Sequence, residues 1–280
     1  MRCGARHAYY LRTPTSQRVL SFKQILIHAL RSDAAVKAAH YAASITPNAV
    51  FHVVSVIPTH RSRYPLNSLL TDVFRRAAEE AVHEVELALM GRGVLTVRKA
   101  LLAGRPAEEL LKYVRRYGID LIVLTASPAS GSPGRLAGSV AREVADASPK
   151  PVLICMPGAP PPPGRVSRIA TYIEAGARDA AGRAAGFLRL AEGPVSVKLA
   201  CVGGGEDCLR VERVLRGLGN VARVDAAPSG RPLGGGPAEV AEAVAELAAG
   251  CEVLTLCLDR GFRGYGEAVV ARSPVPTALV

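Results

Sequence analysis

The chain of 280 residues has no tryptophan, only three methionines, and 5% aromatic residues. Proteins that hold single-stranded nucleic acid without sequence preference stack the bases on aromatic side chains, and this chain has too few for such a platform. Nucleic acid is therefore not an expected partner, despite a net charge of +11. No apolar run approaches the ~18 residues of a transmembrane helix, so a membrane is not an expected partner either. The first residues, MRCGARHAYYLRTPTSQRVLSFK, lack the apolar centre of a secretory signal. They read as a basic tail, over 1–21, of a cytoplasmic protein. Six cysteines form no CxxC pair and have no histidine at metal-binding spacing, which excludes a zinc site of the usual spacing. Buried small side chains are their expected role. The rival is a disulfide, tolerated in hyperthermophile cells, which the excess of Arg over Lys and the scarcity of Met would fit. Walker A, HExxH and Gly-x-Ser-x-Gly sequences are absent, as is a Ser/His/Asp set, so no catalytic or metal-binding residue is singled out.

What is present is apolar surface in quantity. The chain is 49% hydrophobic and 21% charged, sufficient for the cores of two ordinary domains. Residues 1–157 hold 21 Lys and Arg against 11 Asp and Glu; residues 158–280 hold 14 against 13. The basic half would attract anions, although a solvated charged surface is the simpler reading.

Along the chain, strands are predicted at 24–29, 50–56 and 94–102, with helices at 33–45 and about 69–90. The run AGRPAEELLKYVRRYGIDLIVL carries agreeing signals: Pro106 at the first helical position, Glu108 and Glu109 in the first turn, Arg115 and Arg116 in the last, and Gly118 as the stop. MPGAPPPPG, at 156–164, can continue neither a sheet nor a helix and marks a boundary. Beyond it the pattern repeats in order. Arg168-Ile169 corresponds to Gln24-Ile25, PAEVAEAVAELAAGCEVLTL to PAEELLKYVRRYGIDLIVL, and Ser273-Pro274-Val275-Pro276 to Ser148-Pro149-Lys150-Pro151. Strands alternating with helices at this spacing imply parallel sheets covered by helices on both faces. The expected division is a tail over 1–21, a domain over 22–156, a linker over 157–165, and a reduced second copy over 166–280.

The chemistry centres on IDLIVLTASPASGSPGRLAGSVAREVADASPKPVLIC, residues 119–155. It reads as a buried strand, a Gly/Ser/Pro loop, a helix opening at Gly138-Ser139, and a second buried strand. Leu136, Val140 and Val144 recur with helical spacing, and Ser139 suits an N-cap. Backbone amides at such a helix start attract phosphate. This stretch resembles the strand–loop–helix–strand of universal stress proteins, whose phosphate loop runs Gly-x2-Gly, about nine residues, then Gly-Ser or Gly-Thr. ILIHALRSD, FHVVSV, AGRPAEELL and AGSV…KPVLI extend the resemblance over residues 22–157.

The resemblance implies two flavodoxin-like (adenine nucleotide alpha hydrolase-like) α/β domains, each of three layers around a mainly parallel five-stranded sheet. It also implies pairing through the terminal strands, 151–155 and 275–280, within the chain or in a homodimer. For function it implies a stress-response or regulatory protein that binds ATP, with Mg²⁺, or another adenine nucleotide through Gly131, Gly134, Arg135, Gly138, Ser139 and Val140. Turnover would be slow or absent. The alternative is a nucleotide-free scaffold for an unidentified protein partner. Two departures bear on the choice. Leu30 stands where nucleotide-binding members carry an Asp, and Thr125-Ala126 and Pro128-Ala129 replace the first two glycines of the loop. In the second half Glu174 stands at the Asp position, while DRGFRGYG (259–266) is too short for a phosphate loop, so no nucleotide is expected there. GGGEDC (203–208) reads as a turn capping a helix. His28 and His52, on neighbouring strands, read as satisfied core histidines, with a shared proton or ligand as the sharper reading.

Overall fold

The computed structural model describes residues 22–59, 68–130, 136–137, 139–160, 164, 166–174, 176–188, 193–201, 205–226, 236–259, 262 and 264–280. The basic tail over 1–21 and most of the proline run lie outside the described residues.

The first half runs β1 (Gln24–His28), α1 (Asp33–Ile45), β2 (Val50–Pro58), α2 (Ser68–Met90), β3 (Val97–Gly104), α3 (Pro106–Tyr117), β4 (Leu121–Thr125), the short strands β5 (Ser127–Pro128) and β6 (Leu136–Ala137), α4 (Ser139–Ala147) and β7 (Val152–Cys155). The second runs β8 (Arg168–Ile173), α5 (Ala180–Leu188), β9 (Val195–Cys201), α6 (Gly205–Arg216), β10 (Val221–Ala226), α7 (Pro237–Ala248), β11 (Val253–Cys257), α8 (Tyr265–Arg272) and β12 (Thr277–Leu279). Local chemistry sets the ends. Ser32 Oγ accepts the Ala35 amide at 3.3 Å to start α1. Pro106 opens α3, and Gly118 closes it at φ 61°, a left-handed conformation that glycine adopts without strain.

Among the described residues ten strands form one sheet, in the order β10-β9-β8-β11-β12-β7-β4-β1-β2-β3. Every pair is parallel except β7 with β12, where Val152, Leu153 and Ile154 face Leu279, Ala278 and Thr277. The expected pair of five-stranded sheets is thus one continuous sheet. Each five-strand half has the same order, and the halves run in opposite directions. Both β7 and β12 are flanked on two sides, so neither offers an open edge to a second chain; a homodimer would have to use another surface. The true edges, β3 and β10, expose Arg98, Lys99, Arg223 and Asp225, charges that oppose further strand addition.

Strand alternation divides the core in two. Ile25, Ile27, Leu121 and Leu153 face α1 and α2, and this layer continues through Ala278 and Val253 to α5 and α6. Leu26, Ile122 and Ile154 face α3 and α4, continuing through Leu279 and Leu254 to α7 and α8. Full burial of such side chains stabilises by about 1.5–3 kcal/mol each. Both layers cross the β7–β12 junction, where the buried Thr277 donates its hydroxyl to the Val275 carbonyl at 3.3 Å.

Details repeat between the halves. Asp120 Oδ2, just before β4, accepts the amides of Lys23 and Gln24 at 3.0 Å each, tying down the start of β1. Glu252, just before β11, does the same for Ser167 and Arg168 at the start of β8. Gly118 and Gly250, two residues before these acids, have φ of 61° and 74°. Ties also cross the junction: the Tyr41 hydroxyl donates to the Glu252 carbonyl, and the Phe262 amide donates to Asp146 Oδ1 at 2.9 Å.

Three expectations change. Cys201, at the end of β9, and Cys208, in α6, form a disulfide across a Cα separation of 5.8 Å. That separation is within the range a disulfide spans, so Cys201 and Cys208 are not merely small core side chains. Cys155, Cys251 and Cys257 are free and buried as expected, and burial pushes the thiols of Cys155 and Cys257 up to about 12. Leu136 belongs to β6, not to the helical face of Val140 and Val144. Its amide is taken by a side chain from the other half of the chain, described below. Ser139 is the first residue of α4 and not the residue preceding it. Among the described residues no helix is long and apolar enough to cross a membrane.

Candidate functional site

The strand order of the first half reverses between β1 and β4. The chain leaves β1 toward β2 and β3 on one side, then returns to β4 and β7 on the other. In open parallel sheets ligands sit beyond the carboxyl ends of the strands at such a reversal, because the outgoing loops diverge there and leave a crevice. The segments at that edge are Ala29 to Ser32, after β1, and Ala126 onward, after β4.

The first segment offers little polarity. The Ala29 amide is held by the Val54 carbonyl at 2.8 Å, and Ser32 is engaged at the start of α1. Arg31 turns to Glu80 of α2 at 2.6 Å. Leu30 is 42% exposed, an apolar side chain in the place of the expected carboxylate. Behind it, His28 is buried at the end of β1, and burial pushes its pKa from 6.5 down to about 4, so the ring is neutral near pH 7. His52 does not share a proton with it. Its Nδ1 lies 3.0 Å from the Tyr113 hydroxyl and its Nε2 lies 2.7 Å from Gln24 Oε1. In the strand register His52 faces Leu26, while His28 faces Val54. Burial, followed by the charge of Arg98, lowers the His52 pKa.

The second segment contains the expected phosphate loop. Gly131, Gly134, Arg135 and Gly138 lie outside the described residues. Ser139 and Val140 are half-buried at the opening of α4. Before them β5 and β6 pair antiparallel, Ser127 with Ala137 and Pro128 with Leu136. This small hairpin was not legible in the sequence, since two-residue strands carry no periodicity. Its return strand is tied to the other half of the chain. Glu267, 5% exposed in the first turn of α8, accepts the Leu136 amide at 2.9 Å and lies 3.8 Å from Arg142 Nε. The signal in the sequence is slight: one acid in the apolar run YGEAVVA, where a lone carboxylate needs a partner once buried.

In the second half Glu174 directs its carboxylate to its own fold. Glu174 Oε2 accepts the Asp259 amide at 2.8 Å, and the Glu174 amide donates to the Cys257 carbonyl at 2.9 Å. The residue thus bridges the ends of β8 and β11. GGGEDC leads into α6, with Glu206 and Asp207 in its first turn. Gly203 and Gly204 lie outside the described residues.

A doubly wound, mostly parallel α/β protein whose strand order reverses between β1 and β4 is the class that this architecture defines. Residues 21–155 match the model of the universal stress protein family, and this part of the chain belongs to that family. A universal stress protein from Archaeoglobus fulgidus DSM 4304 superposes over 91% of this chain and 95% of its own, with a TM-score of 0.65 and 17% identity. A functionally unknown protein from Pseudomonas aeruginosa PAO1 covers 94% of this chain and 93% of its own, with a TM-score of 0.53 and 13% identity. At these identities the likeness is one of fold, and it spans both halves. A universal stress protein in complex with cAMP is 23% identical over 48% of this chain and 97% of its own, with a TM-score of 0.40. A comparison with curated proteins returns no match.

Proposed function

We propose that residues 22–156 bind ATP, with Mg²⁺, or another adenine nucleotide, and that the protein is a cytoplasmic stress-response regulator whose output is binding and not turnover. The observation that carries this reading is the position of α4. It opens at the carboxyl edge of β4, beside the strand reversal, within the part of the chain that belongs to the universal stress family. Amides at a helix start favour phosphate, and Ser139 and Val140 stand there, with Gly131, Gly134, Arg135 and Gly138 in the loop that leads in. No catalytic role is assigned: His28, at about 4, is too weak a base to activate water near neutrality.

The tandem arrangement belongs to the same proposal. Units 22–156 and 166–280, joined by 157–165, are read as two copies paired through β7 and β12 as an internal dimer. The shared strand order, the matching roles of Asp120 and Glu252, and the matching conformations of Gly118 and Gly250 support it.

A nucleotide-free scaffold is the second reading, and Leu30 favours it. A carboxylate hydrogen bond to a ligand contributes about 1.5–3 kcal/mol, roughly ten- to hundredfold in affinity, and Leu30 supplies none. Calorimetric titration of the full chain with ATP and MgCl₂ separates the two. The nucleotide reading expects weak binding by the parent and about ten- to hundredfold tighter binding by Leu30→Asp. Absence of heat and of thermal shift in both proteins at millimolar ligand leaves only the scaffold.

A further inference from the structure

The antiparallel junction sets the carboxyl ends of β11 and β12 beside the amino ends of β4 and β7, and the converse on its other side. The two sides are filled differently. On one, Tyr41 of α1 reaches across to the Glu252 carbonyl at the foot of β11. On the other, beside Asp120, the counterpart of Glu252, α5 presents Gly186, and a cavity of about 590 Å³ opens between the halves. That volume falls within the roughly 300–1,000 Å³ of small-molecule sites.

The walls are mainly apolar, with Phe22, Phe187, Leu256, Phe262 and Leu279 among them. Two cationic side chains, Arg183 and Lys150, join them. Arg183 Nη1 donates to the Val280 carbonyl at 2.8 Å and Nη2 to the Leu258 carbonyl at 3.2 Å. Its Nε is buried beneath the surface without an acceptor, so the guanidinium acts on the cavity as a positive charge. The Asp120 carboxylate, also on the wall, already holds the Lys23 and Gln24 amides. Apolar walls beside a guanidinium and an ammonium group suit a ligand that is mostly apolar and carries one negative charge. The nearby Asp120 and the two carbonyls disfavour a doubly charged phosphate.

We propose that this cavity is a binding site for a small amphiphilic carboxylate. Its apolar body lies among Phe22, Phe187 and Phe262, its head meets Arg183, and Lys150 adds a second positive charge. The proposal is independent of the nucleotide reading, which concerns the opposite edge of the first half.

Because the chain has no tryptophan, the fluorescence anisotropy of 2-naphthoate can be followed on the full chain with little background. The expected result is binding with Kd below about 1 mM, and binding of neutral 2-naphthol at least about tenfold weaker. A Cβ added at Gly186 meets nothing within 4 Å, so Gly186→Leu is a helix-compatible change that fills the cavity. It is expected to abolish naphthoate binding while leaving the response to ATP as in the parent. Arg183→Met is expected to reduce the preference for naphthoate over naphthol severalfold, and circular dichroism verifies the fold of each variant. No naphthoate binding at millimolar concentration, equal affinity of the parent for acid and alcohol, or binding undisturbed in a folded Gly186→Leu would each overturn the proposal.

Discussion

Glu267 is the side chain that holds β6, the strand just before α4, and its removal has a calculable cost. The carboxylate accepts the Leu136 amide at 2.9 Å in a site 5% exposed. A hydrogen bond to a charged acceptor contributes about 1.5–3 kcal/mol, and stranding a buried donor costs about 1–3 kcal/mol. These figures describe one contact from two sides and are not added together. The ion pair with Arg142, at 3.8 Å and with the arginine side chain 28% exposed, contributes below about 1 kcal/mol. Glu267→Ala is therefore expected to destabilise by about 3 kcal/mol. Glu267→Gln keeps an acceptor for the amide and loses only the charge, at about 1 kcal/mol. Urea unfolding followed by circular dichroism measures both, and exchange of the Leu136 amide reports the contact directly. A Glu267→Ala variant within about 0.5 kcal/mol of the parent, with that amide equally protected, would refute the claim that α8 holds β6.

Two further predictions follow from buried and cross-linked groups. His28 titrates at 6.5 when unfolded and about 4 when folded, so the unfolded chain binds the extra proton in that window. Its contribution is fully present above 6.5 and is lost as pH falls toward 4, about 3 kcal/mol in all at 1.36 kcal/mol per pH unit. His28→Leu should flatten the dependence of the urea midpoint on pH across that range, and an unchanged slope would count against the burial. The Cys201–Cys208 disulfide closes a loop of sequence separation 7, worth about 2 kcal/mol in the chain-entropy account. Dithiothreitol should lower the melting temperature of the parent and leave Cys201→Ser unmoved; an equal response of both would mean that no such cross-link stabilises the fold.

Much of the fold was legible because local and long-range preferences agree. The limits of α1 at 33 and 45 follow from Ser32 and Asp33 at its start, and those of α3 from Pro106 and Gly118. The strands IDLIVL and PVLIC declare themselves as apolar runs too short for helices. Where the two diverged, reading failed. Leu136 keeps helical spacing with Val140 and Val144, yet its amide is taken by Glu267, 131 residues away, and the helix starts three residues later. A disulfide was the rival reading of the cysteines, but the pairing of Cys201 with Cys208 was not legible, because a cysteine's partner depends on where the fold returns the chain. Of the site, the start of α4 and the absence of an acid at Leu30 were legible; the hairpin that frames it was not.

The sequence by itself determined most of the strands and helices, though not the β5–β6 hairpin, and that two similar runs of them follow one another, since periodicity, capping residues and breakers act over a few residues each. Only the tertiary structure decided that β7 and β12 join both runs into one sheet. It also decided that Glu267 braces β6 of the other half, and that Tyr41 fills one side of the junction while Gly186 leaves the other open. These outcomes depend on which surfaces meet when the apolar faces are buried, and no local pattern in the chain encodes that meeting.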